Sequence, residues 1–398
     1  MRRAAIVAPV RTPVGKFLGA LRDVPAERLA AHVVRETLRR ADFDPARVED
    51  VIFAQSYANS EAPCIGRWAA LAADLPVEVP GAQTDRRCAG GLQAIVTGAM
   101  MIETGVAGAV IVGGVESMSN IEYYTTAMRP GARSGNVQLF DRLERGRERS
   151  QPVERFGPIS GMIETAENVA RDKDIAREDA DAFAVESHAR AARAQKLGVF
   201  EAEIAPVAVP QKKGDPVLVA ADEGVRADAT LAALAALKPL MKGGQVTAGN
   251  SSQQNDAAAA MLLVEESKLA AWNLRPMGFV KGWAAAGCHP ATMGLGPVPA
   301  VAKLFARLGL SWKDIGLVEL NEAFAAQVLG VLRGWDWDDR ARLNVNGGGI
   351  SLGHPIGATG ARIAVSLLHE MSRRKAALGL ETMCVGGGQG MAAIFEAA

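Results

Sequence analysis

The sequence predicts an α/β protein made of two similar halves, with a separate lobe inserted between their parts. Three observations carry this expectation. Short apolar runs alternate with helix-spaced segments, the pattern of sheets covered by helices. Landmarks recur 266 to 267 residues apart: Val51 corresponds to Val318, and Cys88 to His354. Between about residues 120 and 250 the chain becomes charged and irregular, unlike the segments on either side.

In chain order, residues 4–10 (AAIVAPV) read as a buried strand ended by the RTP turn. Over 28–40, Leu29, Val33 and Leu38 share a face, which predicts a helix. Asp44-Pro45 opens a short helical turn, 48–53 is the next strand, and 66–73 an Ala-rich helix. The stretch DRRCAGGLQAIV (85–96) is a turn entering a helix, and GAVIV (108–112) a strand ending at Gly113-Gly114. In the inserted lobe, 175–197 reads as a helix, with 206–210 and 216–220 as strands. The DRLERGRERS run (141–150) reads as a solvated face. Residues 257–264 read as a buried apolar helix. The last third then repeats the first. ARLGLSWKDIGLVELN (306–321) follows the plan of RRADFDPARVEDVIFA (39–54), and MCVGGG (383–388) that of VIVGG.

At 398 residues the chain can bury a large core, and length suggests two or three domains. Forty-four basic residues balance 44 acidic ones, which excludes nucleic-acid binding driven by overall charge. The four cysteines, Cys64, Cys88, Cys288 and Cys384, lie far apart without CxxC spacing. A zinc site or disulfide framework is not expected, and a reducing, cytoplasmic compartment fits. The first apolar run is too short for a signal peptide, and none reaches the ~18 residues of a membrane span.

Cys88 stands where a Gly-rich turn enters a helix. Glycine admits other groups close to the backbone, and a helix N-terminus favours thiolate. A buried structural cysteine is the plain alternative. Three other segments compete for one site with it: ELNEAFAAQ with Asn321, NVNGGGISLGHPIGATGAR with His354, and TMCVGGGQG with Cys384. A sulfur nucleophile needs a base, usually histidine, and an oxyanion needs donors aimed at it. A second thiol can move a proton if its pKa is tuned. Taken singly, His354 could be a satisfied core imidazole, Asn321 the N-cap of a helix over 322–332, and Cys384 plain core. Together they point to a site, because each lies beside glycine or at an element boundary.

These four motifs, in order, resemble those of the thiolase family, the acyl-CoA:acetyl-CoA C-acyltransferases. The likeness runs from RTPVGKFLGAL near the start to GGGQGMAAIFE at the end. It implies a five-layered αβαβα fold from two similar halves. Residues 1–119, completed by about 251–270, would form the N-terminal half, 120–250 a loop domain with coenzyme A contacts, and 271–398 the C-terminal half. It implies that Cys88 is the acylated nucleophile, His354 its activator and Cys384 the acid/base. One oxyanion hole would use His354 and a water held by Asn321, the other the backbone N–H groups of Cys88 and Gly386. TAGNSSQQNDAAAA (247–260) resembles the loop that meets the pantetheine arm, with Ala248 and Ser252 as contacts. Arg226 would lie near the adenine, and Met162, Met293 and Phe324 would line the pocket. Coenzyme A enters as substrate, with no permanently bound cofactor or metal. The expected partners are acyl-CoA and a second copy or more of the chain, as homodimer or homotetramer, with no nucleic acid and no membrane.

The chain departs from the usual family pattern at Ser251 and Gln253, at Ala89-Gly90-Gly91 after the cysteine, at Gly161, and at Gly347-Gly348-Gly349. None of these removes a catalytic group. They favour a 3-ketoacyl-CoA thiolase of broad or unusual substrate range, acting by ping-pong thiolysis or its Claisen reverse. The alternatives are a dedicated acetoacetyl-CoA-forming acetyltransferase and a condensing enzyme of the ketoacyl-synthase kind.

Overall fold

The computed structural model describes residues 2–398. Its apolar runs form one long mixed sheet. The first half contributes β1 (Ala4–Arg11), β2 (Asp50–Ala54), β3 (Gly81–Thr84), β4 (Ala109–Ser117) and β5 (Asn255–Glu265). The second contributes β6 (Gly278–Gly287), β7 (Leu317–Leu320), β8 (Leu378–Val385) and β9 (Gln389–Ala397). The strand order is β7-β8-β9-β6-β1-β5-β4-β2-β3. The internal repeat is visible in the pairing. Val51 of β2 lies parallel to Ile111 of β4, and Val318 of β7 lies parallel to Leu380 of β8. Next to these, β5 and β9 run antiparallel to β4 and β8. The halves join where Ala5 and Ile6 of β1 face Phe279 and Gly278 of β6.

Helices complete five layers. Outside the first half pack α1 (Ala26–Ala41) and α2 (Ile65–Ala72). Leu29, Val33, Val34 and Leu38 form the buried face of α1, which ends at Asp42 in the left-handed conformation with its N–H bonded back into the last turn. Between the halves lie α3 (Gly90–Thr104) and α8 (Thr359–Arg374), sharing one core with both parts of the sheet. Outside the second half pack α6 (Pro297–Leu308) and α7 (Ala325–Trp335).

The central pair sets the site. A side chain added at Gly91 would lie 2.4 Å from the backbone N of Ala361, and one at Gly360 would lie 2.3 Å from that of Leu92. The two helices therefore cross backbone to backbone, and the turns leading into them are drawn together. Cys88 is on one turn and His354 on the other. Gly360→Ala is expected to destabilise the fold by about 1–3 kcal/mol through overpacking. A lowered thermal midpoint would show this; an unchanged midpoint would mean that the crossing relaxes freely.

Two expected elements differ. Residues 257–264 belong to strand β5, not to a helix. A short run apolar on both faces suits either state, and here β5 is buried between β1 and β4. Strand β4 also continues through Gly113-Gly114 to Ser117. Gly114 is needed there because a Cβ would lie 2.2 Å from the carbonyl oxygen of Gly357, in the turn after His354.

Between β4 and β5 the chain leaves the sheet. This stretch holds a helix at Arg142–Glu148, then α4 (Met162–Asp172) and α5 (Arg177–Lys196), and a ribbon of Val207–Val209 with Val217–Val219. Arg11, at the end of β1 and fully buried, ties it down. Its guanidinium donates to both Asp222 oxygens at 2.7 and 2.9 Å and to Glu203 at 2.7 Å. Removing one partner of such a buried group would strand the others.

Candidate active site

The Cys88 turn is tightly built. Arg87 takes a left-handed conformation (φ 48°), unusual for a side-chain-bearing residue. Its backbone is held on both sides: its N–H donates to Asp85 Oδ1 at 2.7 Å, and its carbonyl accepts from the Ser56 hydroxyl at 3.1 Å. Cys88 follows in a single 3-10 turn, Arg87–Ala89, before α3 begins.

Across the seam, the His354 backbone N–H donates to Asn255 Oδ1 at 2.9 Å. Its Nδ1 lies 2.6 Å from the Thr359 hydroxyl, which itself donates to the Pro355 carbonyl at 2.9 Å. The single hydroxyl proton is thus committed, so Nδ1 carries the imidazole proton and Nε2 is left as an acceptor. Buried Glu116, on β4, locks this turn to the first half. It accepts from the N–H groups of Gly357 (3.0 Å) and Ser56 (3.1 Å). Burial raises its pKa to about 7 against those donors.

A cavity of about 450 Å³ joins the turns. Cys88, His354 and Gly386 line it, as do Met162, Arg226, Ala248, Ser252, Met293 and Phe324. Arg226 and Ala248 are exposed at its rim. Cys384 and Asn321 lie just behind the wall. Cys384 is fully buried in a small apolar cluster with Met293, Ala323 and Phe324, and its charge would be felt by Cys88. Asn321 is also buried, and neither atom of its amide has a partner among the described residues. Asn321 is not a helix cap: α7 starts later, at Ala325, with Phe324 in the cap position. The next residue, Glu322, clamps the Gly-rich loop instead. It accepts from Ser187 and Asn344 (2.7 and 2.8 Å) and from the Ile350 N–H (3.2 Å).

The electrostatics favour a neutral resting pair. Burial pushes the Cys88 thiol up, opposed by the Gly386 N–H and the adjacent Arg87 charge. Burial also depresses His354 to about 3, helped by Arg362 and Arg147. The helix-terminus preference for thiolate is therefore outweighed by desolvation. Alkylation of Cys88 by iodoacetamide, followed by site-resolved mass spectrometry, is expected to go on accelerating with pH above the ordinary thiol value of about 8.5, because burial raises the thiol. A rate already flat below pH 7 would reveal a preformed thiolate–imidazolium pair.

Two wall residues escaped the sequence reading. Arg87 was in plain view beside Cys88. Arg147 sits in the 141–150 run, which is not simply a solvated face. Leu143 buries against Tyr57 and Met118, turning Arg147 and Glu144 to the cavity. The departure at Gln253 has a structural use: its amide donates to the carbonyls of Gly224 (3.0 Å) and Ile350 (3.1 Å), stapling two rim loops together.

A thiol beside a neutral imidazole, with backbone donors at the sulfur and a second thiol beneath the same wall, suits transfer of acyl groups between thioesters. The fold and site thus define a sulfur-based acyltransferase. Comparison with known proteins gives the family. Residues 4–267 match "Thiolase, N-terminal domain" and residues 274–397 match "Thiolase, C-terminal domain". The chain is 45% identical to an acetyl-CoA acetyltransferase of Chromobacterium violaceum, over 98% of this chain and 99% of that one. It is 43% identical to the 3-oxoadipyl-CoA/3-oxo-5,6-dehydrosuberyl-CoA thiolase of Escherichia coli, over the whole of both. The crystal structure of the Bacillus anthracis acetyl-CoA acetyltransferase superposes with a TM-score of 0.95 at 41% identity, covering 100% of this chain and 99% of that one. The chain belongs to the thiolase family.

Proposed function

We propose that the protein cleaves 3-ketoacyl-CoA with free coenzyme A, or condenses the two products in reverse, through an acyl group carried on Cys88. The observation that carries this reading is the single cavity lined by Cys88, His354 and Gly386, with Cys384 buried against its wall. In thiolysis, His354 Nε2 takes the Cys88 proton as the sulfur attacks the 3-keto carbon. That oxyanion is met by the N–H groups of Cys88 and Gly386, which face the sulfur, while a donor on His354 and a water on Asn321, whose unpartnered amide suits that task, meet the thioester oxygen of the departing acetyl-CoA. The C2–C3 bond breaks, and the acetyl-CoA carbanion takes the Cys384 proton. Coenzyme A then gives its thiol proton to the Cys384 thiolate and attacks the acyl-Cys88 carbonyl. The same N–H groups of Cys88 and Gly386 hold this second oxyanion, and Cys88 leaves to recover its proton from His354.

We read Ala248 and Ser252 as contacts of the pantetheine arm, Arg226 as lying near the adenine, and Met162, Met293 and Phe324 as lining the reacting end; all six line the one cavity. Relatives of nearly equal identity carry names for different acyl groups, so identity does not choose the substrate. We infer a broad 3-ketoacyl-CoA range, with a place in fatty-acid β-oxidation, rather than a dedicated acetoacetyl-CoA enzyme. Four unpaired thiols support a reducing, cytoplasmic setting. We further read residues 120–250 as a lobe serving the coenzyme, and the assembly as a homodimer or homotetramer. Thiolysis across a ladder of ketoacyl-CoA lengths tests the reading. Turnover of none of them in the presence of coenzyme A would overturn it.

A further inference from the structure

We propose that, within that broad range, the acyl end of the cavity favours 3-ketoacyl-CoA substrates whose acyl chain ends in a carboxylate, held by the guanidinium groups of Arg87 and Arg147. This rests on the thiolase reading above and adds the substrate class.

The charges lining the cavity are Arg87, Arg147, Glu144 and Arg226. Arg226 stands at the exposed rim on a loop of the inserted stretch, held through its backbone N–H by His188 Nδ1 at 3.1 Å. That position suits the adenine end of the coenzyme. Arg87 is the peptide neighbour of the nucleophile. During the reaction the acyl group is bonded to Cys88, while the phosphates are a whole pantetheine arm away. A cation beside Cys88 therefore meets the acyl chain rather than the coenzyme.

Arg87 is also short of partners. Its guanidinium lies 5.8 Å from the Tyr57 ring centre and reaches only the Gly146 carbonyl, at 3.5 Å. Among the described residues it pairs with no carboxylate, since Asp85 is engaged with its backbone N–H. Arg147 is paired with Glu144 at 2.6 Å, and its charge reaches His354. One of the two guanidinium groups thus has a carboxylate partner and the other none, on a wall that also carries Tyr57, Met118 and Ile356. A half-buried guanidinium among apolar groups is stabilised most by a bidentate carboxylate. A second cleft of about 500 Å³ shares Tyr57 and Arg87 with this wall, and its lining sets Arg142, Arg145 and Arg149 against Asp85 and Glu122, the last paired with Arg142 at 2.8 Å, so arginines still outnumber carboxylates. The positive field therefore continues along the path of a longer chain.

The test compares two six-carbon 3-ketoacyl-CoA thioesters, one ending in carboxylate and one in methyl, in thiolysis by the intact protein. The expected kcat/KM favours the carboxylate by about 10- to 100-fold, the range of a charge-assisted hydrogen-bonded pair. In Arg87→Leu that ratio is expected to fall at least about tenfold, and in Arg147→Gln by a smaller factor. Wild-type protein that uses the methyl-ended substrate equally well or better overturns the proposal, with no variant needed. So does an Arg87→Leu protein that loses both activities in proportion, which would place Arg87 on the coenzyme or in packing. Cleavage of acetoacetyl-CoA but of neither six-carbon substrate also overturns it. Cleavage of no ketoacyl-CoA at all would instead overturn the thiolase reading beneath it.

Discussion

Cys88→Ala is expected to abolish thiolysis, with kcat falling on the order of 10⁴-fold or more, as when a nucleophile acting in a concerted unit is removed. No acyl adduct should form when the variant is incubated with acetyl-CoA. The effect is large because nothing nearby can substitute. Cys384 is sealed in an apolar cluster, and burial holds its thiol well above the ordinary range. Cys288 is raised to about 11 for the same reason. Cys64 is exposed and lies outside the cavity. Alanine keeps the β-carbon, and the turn is held by backbone contacts of Arg87 rather than by the sulfur, so the fold should persist. Intact-mass spectrometry decides: an acetyl adduct on the variant at the wild-type rate would remove Cys88 from the role of nucleophile.

Cys384→Ala should separate the two half-reactions. Carbon–carbon cleavage is expected to fall by about 10²- to 10⁴-fold, the usual loss for a general acid–base group. Acetylation of Cys88 from acetyl-CoA needs no proton at carbon, so it should remain measurable. The direction of the Cys384 shift supports this division. A thiol pushed up by burial is protonated at neutral pH, the form needed to quench the departing carbanion. Rapid-quench measurement of acyl-Cys88 formation, set beside steady-state thiolysis, distinguishes the steps. If both fall equally, Cys384 supports the nucleophile rather than the carbon acid.

Much of the site was legible because its residues stand at chain punctuation: Cys88 and His354 before helices, Cys384 at a strand end. Those signals are local and tied to glycine, and spacing between the halves reinforced them. What failed was decided by three-dimensional neighbours. Residues 257–264 are a strand because two other strands cover their edges, which no periodicity shows. Asn321 lost its expected capping role because Glu322 is drawn into the Gly-rich loop and delays α7 by three residues. Arg147 lay inside a run of charges. Only the burial of one leucine in that run, Leu143, turns it inward. The thiolate expected at a helix start was reversed by desolvation, which a sequence does not display.

The backbone crossing at Gly91 and Gly360 bears on how the duplicated architecture can work at all. A perfectly symmetric molecule would bring two identical groups to the axis, a pair of thiols or a pair of imidazoles. Neither pair divides the labour of attacking and accepting a proton. Reactivity arises only where the twin turns have diverged, one keeping sulfur and the other nitrogen. On the proposed reading neither half alone would hold a working centre, and the catalytic unit would be the junction itself.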